Sequence, residues 1–220
     1  MKIILLFAII LNSSSLMGQE KKILFIGLDG CRADALDVAN TPNMDELIEN
    51  GLFIDNALCS INGQPTVSGP GWSSMITGVW YDKHGVSDNS FSGSNFDQYP
   101  PFNILLDESG EIFHTASFIM WTPIHSDIFN GTMDYNETHT SFDGSVAQGA
   151  ADYMSSEELD ILFLDFDHID HTGHSYGYGP DIGEYLNTIE DVDEYIGWVI
   201  SAMESRLNFE NEEWLVIITS

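Results

Sequence analysis

The stretch that decides the fold is "KKILFIGLDG", Lys21 to Gly30. Ile23 to Leu28 run without a polar residue and stop at Asp29-Gly30. A strand apolar on both faces needs cover on both faces, as in a parallel sheet flanked by helices. Working outward, "LDILFLDF" is another apolar strand at Ile161 to Phe166, interrupted by Asp165, and "EEWLVIITS" is a buried strand near the end of the sequence. "EIFHTASFIM" and "LFIDNALC" also read as strands. Helical signals fall between them. In "NTPNMDELIENG", Thr41 is an N-cap, Pro42 takes the first helical position, Asp45 and Glu46 lie in the first turn and Gly51 ends it. Residues 103–108 and 144–154 read as further helices. The clearest period puts Ile182, Tyr185, Leu186, Ile189, Val192, Ile196, Val199, Ile200, Met203 and Leu207 on one face. Residues 60–71, 87–101 and 121–143 are irregular. Strands alternating with helices predict an α/β fold with a mainly parallel sheet and helices on both faces. In such sheets chemistry collects beyond the carboxyl ends of the strands, where Asp29 and the loop after Phe166 both lie.

Composition narrows the function classes. The chain has 220 residues, 43% hydrophobic and 12% aromatic, enough for one domain with a sizeable core. It carries 35 acidic residues against 6 basic ones, a net charge of -29, which excludes nucleic-acid binding through a basic face. An anionic substrate would be repelled unless bound cations reversed the field locally. Residues 1–19 have the layout of a secretory signal peptide: Lys2, an apolar run from Ile3 to Leu11, then small residues to Gly18. The run is too short to span a bilayer, no cysteine follows it, and no later segment looks transmembrane. The expected location is therefore secreted or periplasmic. Cys31 and Cys59 could pair there, or stay as buried thiols.

Three places could carry chemistry. "DFDHIDHTGH", Asp165 to His174, holds three Asp and three His, the ligand types that zinc accepts. Asp170 and His174 are four apart with Gly173 between them, so a curled loop could aim both at one ion. Such residues in loops usually face solvent or cap backbone, but this many after a buried strand favour a metal. Asp29 could equally cap the segment near Arg32 to Leu36, and Gly30 allows a close approach. Ser68 sits in "TVSGPGWSSMITG", before Gly69-Pro70-Gly71. A serine needs a base or a metal to become a nucleophile, and no G-x-S-x-G elbow is present. Locally, Ser68 reads as well as a helix cap.

The combination is more telling. "ILFIGLDGCRADAL", "TPNMDELIENG", "PTVSGPGWSSMITGVWYDKHGV" and "DHIDHTGHSYGYGP" occur in that order. Together they resemble the type I phosphodiesterase/nucleotide pyrophosphatase family of the alkaline phosphatase superfamily, over nearly the whole chain from residue 20. The resemblance implies an alkaline-phosphatase-like fold and a hydrolase of phosphate esters with two divalent metal ions, usually zinc. Asp29 matches the first-strand ligand, Ser68 the alcohol nucleophile and metal ligand, and Asp170 and His174 two ligands of the other ion. Thr66 fits less well, because Pro70 falls two residues after Ser68, as in the family motif.

Departures qualify the substrate. The family's Thr-x-Pro-Asn turn is Ser68-Gly69-Pro70-Gly71 here, and an extra Tyr-Gly precedes Pro180. Sulfatases of the superfamily require Arg where this chain has Trp72, and tend to carry paired Asp where it has Asp29-Gly30. Family members continue a strand like "LVIITS" into an Asp-His pair and a later His that complete the metal sites. By that comparison residues 20–220 form the N-terminal part of a catalytic domain, and the 220-residue chain is expected to be poorly active. Phosphodiester hydrolysis is the leading expectation, phosphomonoester or sulfate ester hydrolysis the next. A non-catalytic calcium-binding acidic module is the alternative from another class, although calcium has little use for His174.

Overall fold

The computed structural model describes residues 19–61 and 63–220; the signal-peptide expectation lies outside the described residues apart from residue 19. In chain order the elements are β1 (Glu20–Leu28), α1 (Ala33–Leu36), α2 (Pro42–Glu49), α3 (Ser68–Thr77), α4 (Tyr81–His84), α5 (Phe102–Ser109), β2 (Thr115–Ile119), a π-helical turn (Ile124–Ile128), β3 (Tyr135–Thr138), α6 (Asp143–Ser156), β4 (Ile161–Phe166), α7 (His168–Tyr176), α8 (Gly183–Glu204), a 3-10 turn (Phe209–Asn211) and β5 (Glu212–Thr219).

The five strands form one sheet in the order β3-β2-β4-β1-β5, and every pairing is parallel. Alternation along the strands divides the core as the sequence predicts. Leu24, Ile26 and Leu28 of β1 and Leu162, Leu164 and Phe166 of β4 join one cluster with the inner faces of α6 and α8. Phe163 faces the other way, with Phe25, onto Trp72 and Ile76 of α3 and Ile124, Ile128 and Phe129 around the π-helical turn. Tyr185, Ile189, Val192, Ile196 and Val199 of α8 are all fully buried. Truncating one of them, such as Ile196→Ala, would cost about 2–5 kcal/mol.

Tertiary contacts override several local expectations. Thr41 precedes α2, but its hydroxyl turns to Asp45. The amides of Asn43 and Met44 are instead capped by the buried carboxylate of Asp193 on α8, at 3.1 and 2.8 Å. "LFIDNALC" is not a strand: Leu52, Ile54 and Leu58 are 84%, 57% and 69% exposed in irregular backbone. Its apolar pattern finds no neighbouring strand among the described residues, and without a partner an extended segment has no ladder to join. The irregular 121–143 stretch contains the π-helical turn and edge strand β3. β5 forms the opposite edge and is only half-buried, with Leu215 exposed. Leu207 lies beyond α8 and is fully exposed, so the helical period overshoots the helix by one turn. The region from Asp165 to Gly179, read as a loop, contains helix α7. Cys31 and Cys59 are both free thiols; Cys59 is exposed, and burial pushes the Cys31 thiol up to about 12.

Candidate functional site

Register brings the site together. Leu28 pairs with Phe166, so β1 and β4 end level, and the Asp29 amide donates to the Phe166 carbonyl at 2.9 Å, extending the ladder by one step. Asp29 therefore emerges beside the start of α7. Gly30 follows at φ +71°, and a Cβ there would lie 2.8 Å from the Asp170 backbone. The expected close approach at Gly30 is thus made by α7 itself.

Helix α7 begins where its sequence, rich in Asp, His, Thr and Gly, gives little propensity of its own. The buried carboxylate of Asp143, at the start of α6, accepts from the amides of Asp167 and His168 at 3.0 and 3.1 Å and caps it. Within α7, Asp170 and His174 stand one turn apart with Nε2 3.3 Å from Oδ2. Gly173 does not curl a loop, as the sequence suggested. It leaves room for the Tyr178 ring, whose hydroxyl donates to Asp170 Oδ1 at 2.6 Å. A second tyrosine, Tyr185, donates to the Gly30 carbonyl and accepts from the Arg32 amide at 3.0 Å, bracing the turn after Asp29.

Ser68 is the first residue of α3, half-buried, with Val67 before it in extended backbone. It does not cap the helix: α3 has no side-chain cap from its own N-cap residue, and the Gly69 amide donates to Asn89 Oδ1 at 2.7 Å. Thr66, the weaker nucleophile candidate, is exposed and precedes the helix. The Ser68 side chain is close enough to Asp29 to stabilise its anion. Burial pushes the Asp29 carboxyl up; Trp72 opposes this, the charge of Asp170 adds to it, and Ser68 and the Gly30 amide pull it back. The three predicted stretches therefore converge on Asp29: the Ser68 hydroxyl and the Asp170 charge both act on its carboxyl, and α7 packs Asp170 against Gly30.

Two members of the three-Asp, three-His cluster were not singled out as ligands in the sequence. Asp167, almost fully buried, pairs with His171 at 3.2 Å one turn along α7; burial pushes its carboxyl up to about 6, with the charges of Asp29, Asp143 and Asp170 adding to the rise against His171. Asp165, at the end of β4, accepts from the amides of Met120 and Trp121 through Oδ2 at 3.1 and 2.8 Å, while its buried Oδ1 has no partner. Burial pushes Asp165 up as well, with the charges of Asp167, Asp29 and Asp143 adding to it. Among the described residues, no group of three or more His, Cys, Asp and Glu side chains is close enough to enclose an ion. The donor chemistry nonetheless fits a divalent cation. Carboxylates and a hydroxyl gather where negative charges press on one another, His174 stands beside Asp170, and among the described residues no Lys or Arg forms an ion pair with Asp29, Asp165, Asp167 or Asp170.

The family model for type I phosphodiesterase/nucleotide pyrophosphatase matches residues 23–220. The chain belongs to this family. Among family relatives, human ectonucleotide pyrophosphatase/phosphodiesterase family member 5 is 26% identical over 211 residues, 86% of this chain and 42% of that protein. The bis(5'-adenosyl)-triphosphatase ENPP4 of Pongo abelii is 26% identical over 243 aligned residues, 99% of this chain and 51% of the relative. The chain spans about half the length of the curated relatives it matches. A solved structure of murine ectonucleotide pyrophosphatase/phosphodiesterase 5, an inactive threonine-to-alanine form in complex with AMP, superposes with a TM-score of 0.68 at 19% identity, covering 90% of this chain and 56% of that one. At that identity the likeness establishes the fold, which is alkaline-phosphatase-like. Among the described residues, no helix is long and apolar enough to cross a membrane.

Proposed function

We propose that this chain carries the nucleophile and part of the metal-binding side of a phosphodiester-hydrolysing centre, with Ser68 as the nucleophile. The observation that carries the reading is the meeting of Asp29, Ser68 and Asp170 at the carboxyl ends of β1 and β4. Two divalent ions, zinc by family resemblance, would be held by Asp29 with Ser68 and by Asp170 with His174, and would supply neutralisation of the phosphoryl oxygens. Further ligands belong, on this reading, to the part of the relatives that this chain does not span.

Ser68 Oγ attacks phosphorus and expels the leaving-group oxygen, giving a phosphoseryl ester. Water then attacks the same phosphorus, releases a phosphomonoester and restores the hydroxyl. Asp29 orients the Ser68 hydroxyl. The N-terminus of α3 favours an anionic group beside Ser68. Asn89 fixes the first turn of that helix through the Gly69 amide. The related protein whose inactive form lacks one threonine hydroxyl and holds AMP supports a hydroxyl nucleophile and a nucleotide-bearing substrate. Export through residues 1–19 belongs to the same reading; a periplasmic or secreted reporter fused after residue 19 tests it.

The experiment is incubation of the zinc-loaded chain with p-nitrophenyl thymidine 5′-monophosphate, reading p-nitrophenolate release and the mass of the Ser68 peptide after acid quench. A thymidylyl adduct on Ser68 is expected, formed slowly in keeping with the poor activity expected of the 220-residue chain, and Ser68→Ala should abolish it together with release above background. An adduct on Thr66, or release that survives Ser68→Ala, contradicts the reading. Faster turnover of p-nitrophenyl phosphate or p-nitrophenyl sulfate would move the substrate class to monoesters or sulfate esters.

A further inference from the structure

We infer that Trp72 is a positioning residue of this site: its indole N–H fixes the Asp29 carboxylate in the orientation that faces Ser68 and a bound cation. Trp72 Nε1 donates to Asp29 Oδ2 at 3.0 Å. Ser68 and Trp72 are four residues apart in α3, so they share one face of the helix, and both bear on Asp29. A single helix therefore sets the hydroxyl and the carboxylate relative to each other.

The indole cannot swing away. It is 1% exposed and lies over Gly27, where a Cβ would run into the ring. It also meets Phe163 edge-on, with centroids 5.8 Å apart at 67°. The absence of a side chain at Gly27, two residues before Asp29 on β1, thus makes the seat for the residue that holds Asp29. The donor is also neutral. An indole has one N–H and no charge, so it fixes the carboxylate without cancelling the negative charge that attracts a metal. An Arg or Lys in the same place would pair with Asp29 and compete with the ion.

This rests on the reading of Asp29 as a metal ligand, so the test separates the two. In the full 220-residue chain, Zn2+ affinity is measured by competition with a chromophoric chelator, and the indole N–H signals are followed by 1H–15N NMR. Asp29→Ala should weaken Zn2+ binding and move the Trp72 indole signal upfield, leaving those of Trp80, Trp198 and Trp214 in place. Trp72→Phe keeps a ring over Gly27 and should weaken Zn2+ binding roughly 10- to 100-fold, as loss of a partner that orients a ligand does. Unchanged Zn2+ affinity in Trp72→Phe, with weakened affinity in Asp29→Ala, overturns the inference. Unchanged affinity in Asp29→Ala overturns the ligand reading instead, while the indole shift still reports the Trp72–Asp29 bond. Should Trp72→Phe fail to fold, Zn2+ added to the unmodified chain decides: a shift of the Trp72 indole signal supports the inference and a static signal overturns it.

Discussion

The two ends of the sheet treat charge in opposite ways. At the amino-terminal end, the buried Lys22 ammonium donates to the Leu159 carbonyl at 2.8 Å and lies 3.3 Å from Asp160, 3.4 Å from Glu20 and 4.0 Å from Glu212. Glu212 also accepts from Arg206 and from the Trp214 indole, at 3.0 and 2.8 Å. Burial pushes its carboxyl up, but the Arg206 and Trp214 bonds, and then the charges of Arg206 and Lys22, outweigh burial and hold it below the usual range. At the carboxyl end Asp29 likewise accepts from an indole, yet its charged neighbour is another carboxylate and its carboxyl is pushed up. Two of the chain's six basic residues serve the first end, and among the described residues none pairs with Asp29, Asp165, Asp167 or Asp170 at the second. The first arrangement is complete by itself and holds β1, β4 and β5 together. The second is stable only against its own repulsion, and a cation would relieve it.

Removing one partner from the complete end should have the largest effect. Lys22→Ala removes a buried side chain and leaves the Leu159 carbonyl and the partly buried Asp160 without their cation, while Glu212 keeps Arg206, and it should lower stability by about 3–5 kcal/mol in chemical denaturation. The open end should gain from a ligand instead: Zn2+ at 100 times its dissociation constant should add about 2.7 kcal/mol, seen as a rise in melting temperature that Asp29→Ala reduces.

The pH response follows from the same contrast. Burial pushes Asp143 up from 3.8 to about 6, against the amides of Asp167 and His168, and Asp167 rises to about 6 as well. A raised carboxyl keeps its proton in the folded chain after the unfolded chain has lost it. Between about pH 4 and pH 6 the folded state therefore binds more protons, and stability falls as pH rises. The metal-free chain should melt at a higher temperature at pH 4.5 than at pH 6.5, with the difference reduced in Asp143→Asn. Glu212 acts in the opposite sense, contributing stability that is lost as pH falls through its lowered value. The smallest effect is expected from Asp29→Asn. It removes a charge that Asp170 repels and should stabilise the metal-free chain by about 1 kcal/mol or less, while weakening Zn2+ binding.

Much of this was legible in the residues. Near-continuous apolar strands such as Ile161–Phe166, broken only by Asp165, pointed to a doubly covered sheet, and the level ends of β1 and β4 place Asp29 beside α7. What stayed hidden depended on partners distant in sequence. Helix α7 is capped by Asp143, 24 residues earlier, and braced by Tyr178 closing over Gly173. The segment around Leu52–Leu58 has a strand's composition but no strand beside it among the described residues. Trp72 read only as a departure from the sulfatase pattern; its role appears when Gly27 and Asp29 are seen under its ring.

Substitution with Co2+ tests the central claim most directly, because its visible d–d bands report the ligands and symmetry of the ion. Co2+ added to the chain at neutral pH should give bands of an oxygen- and imidazole-bound ion, lost or displaced in both Asp29→Ala and His174→Ala. Bands that survive both substitutions unchanged, or no bands beyond those of aqueous Co2+, would show that the carboxyl end of the sheet is not a metal site.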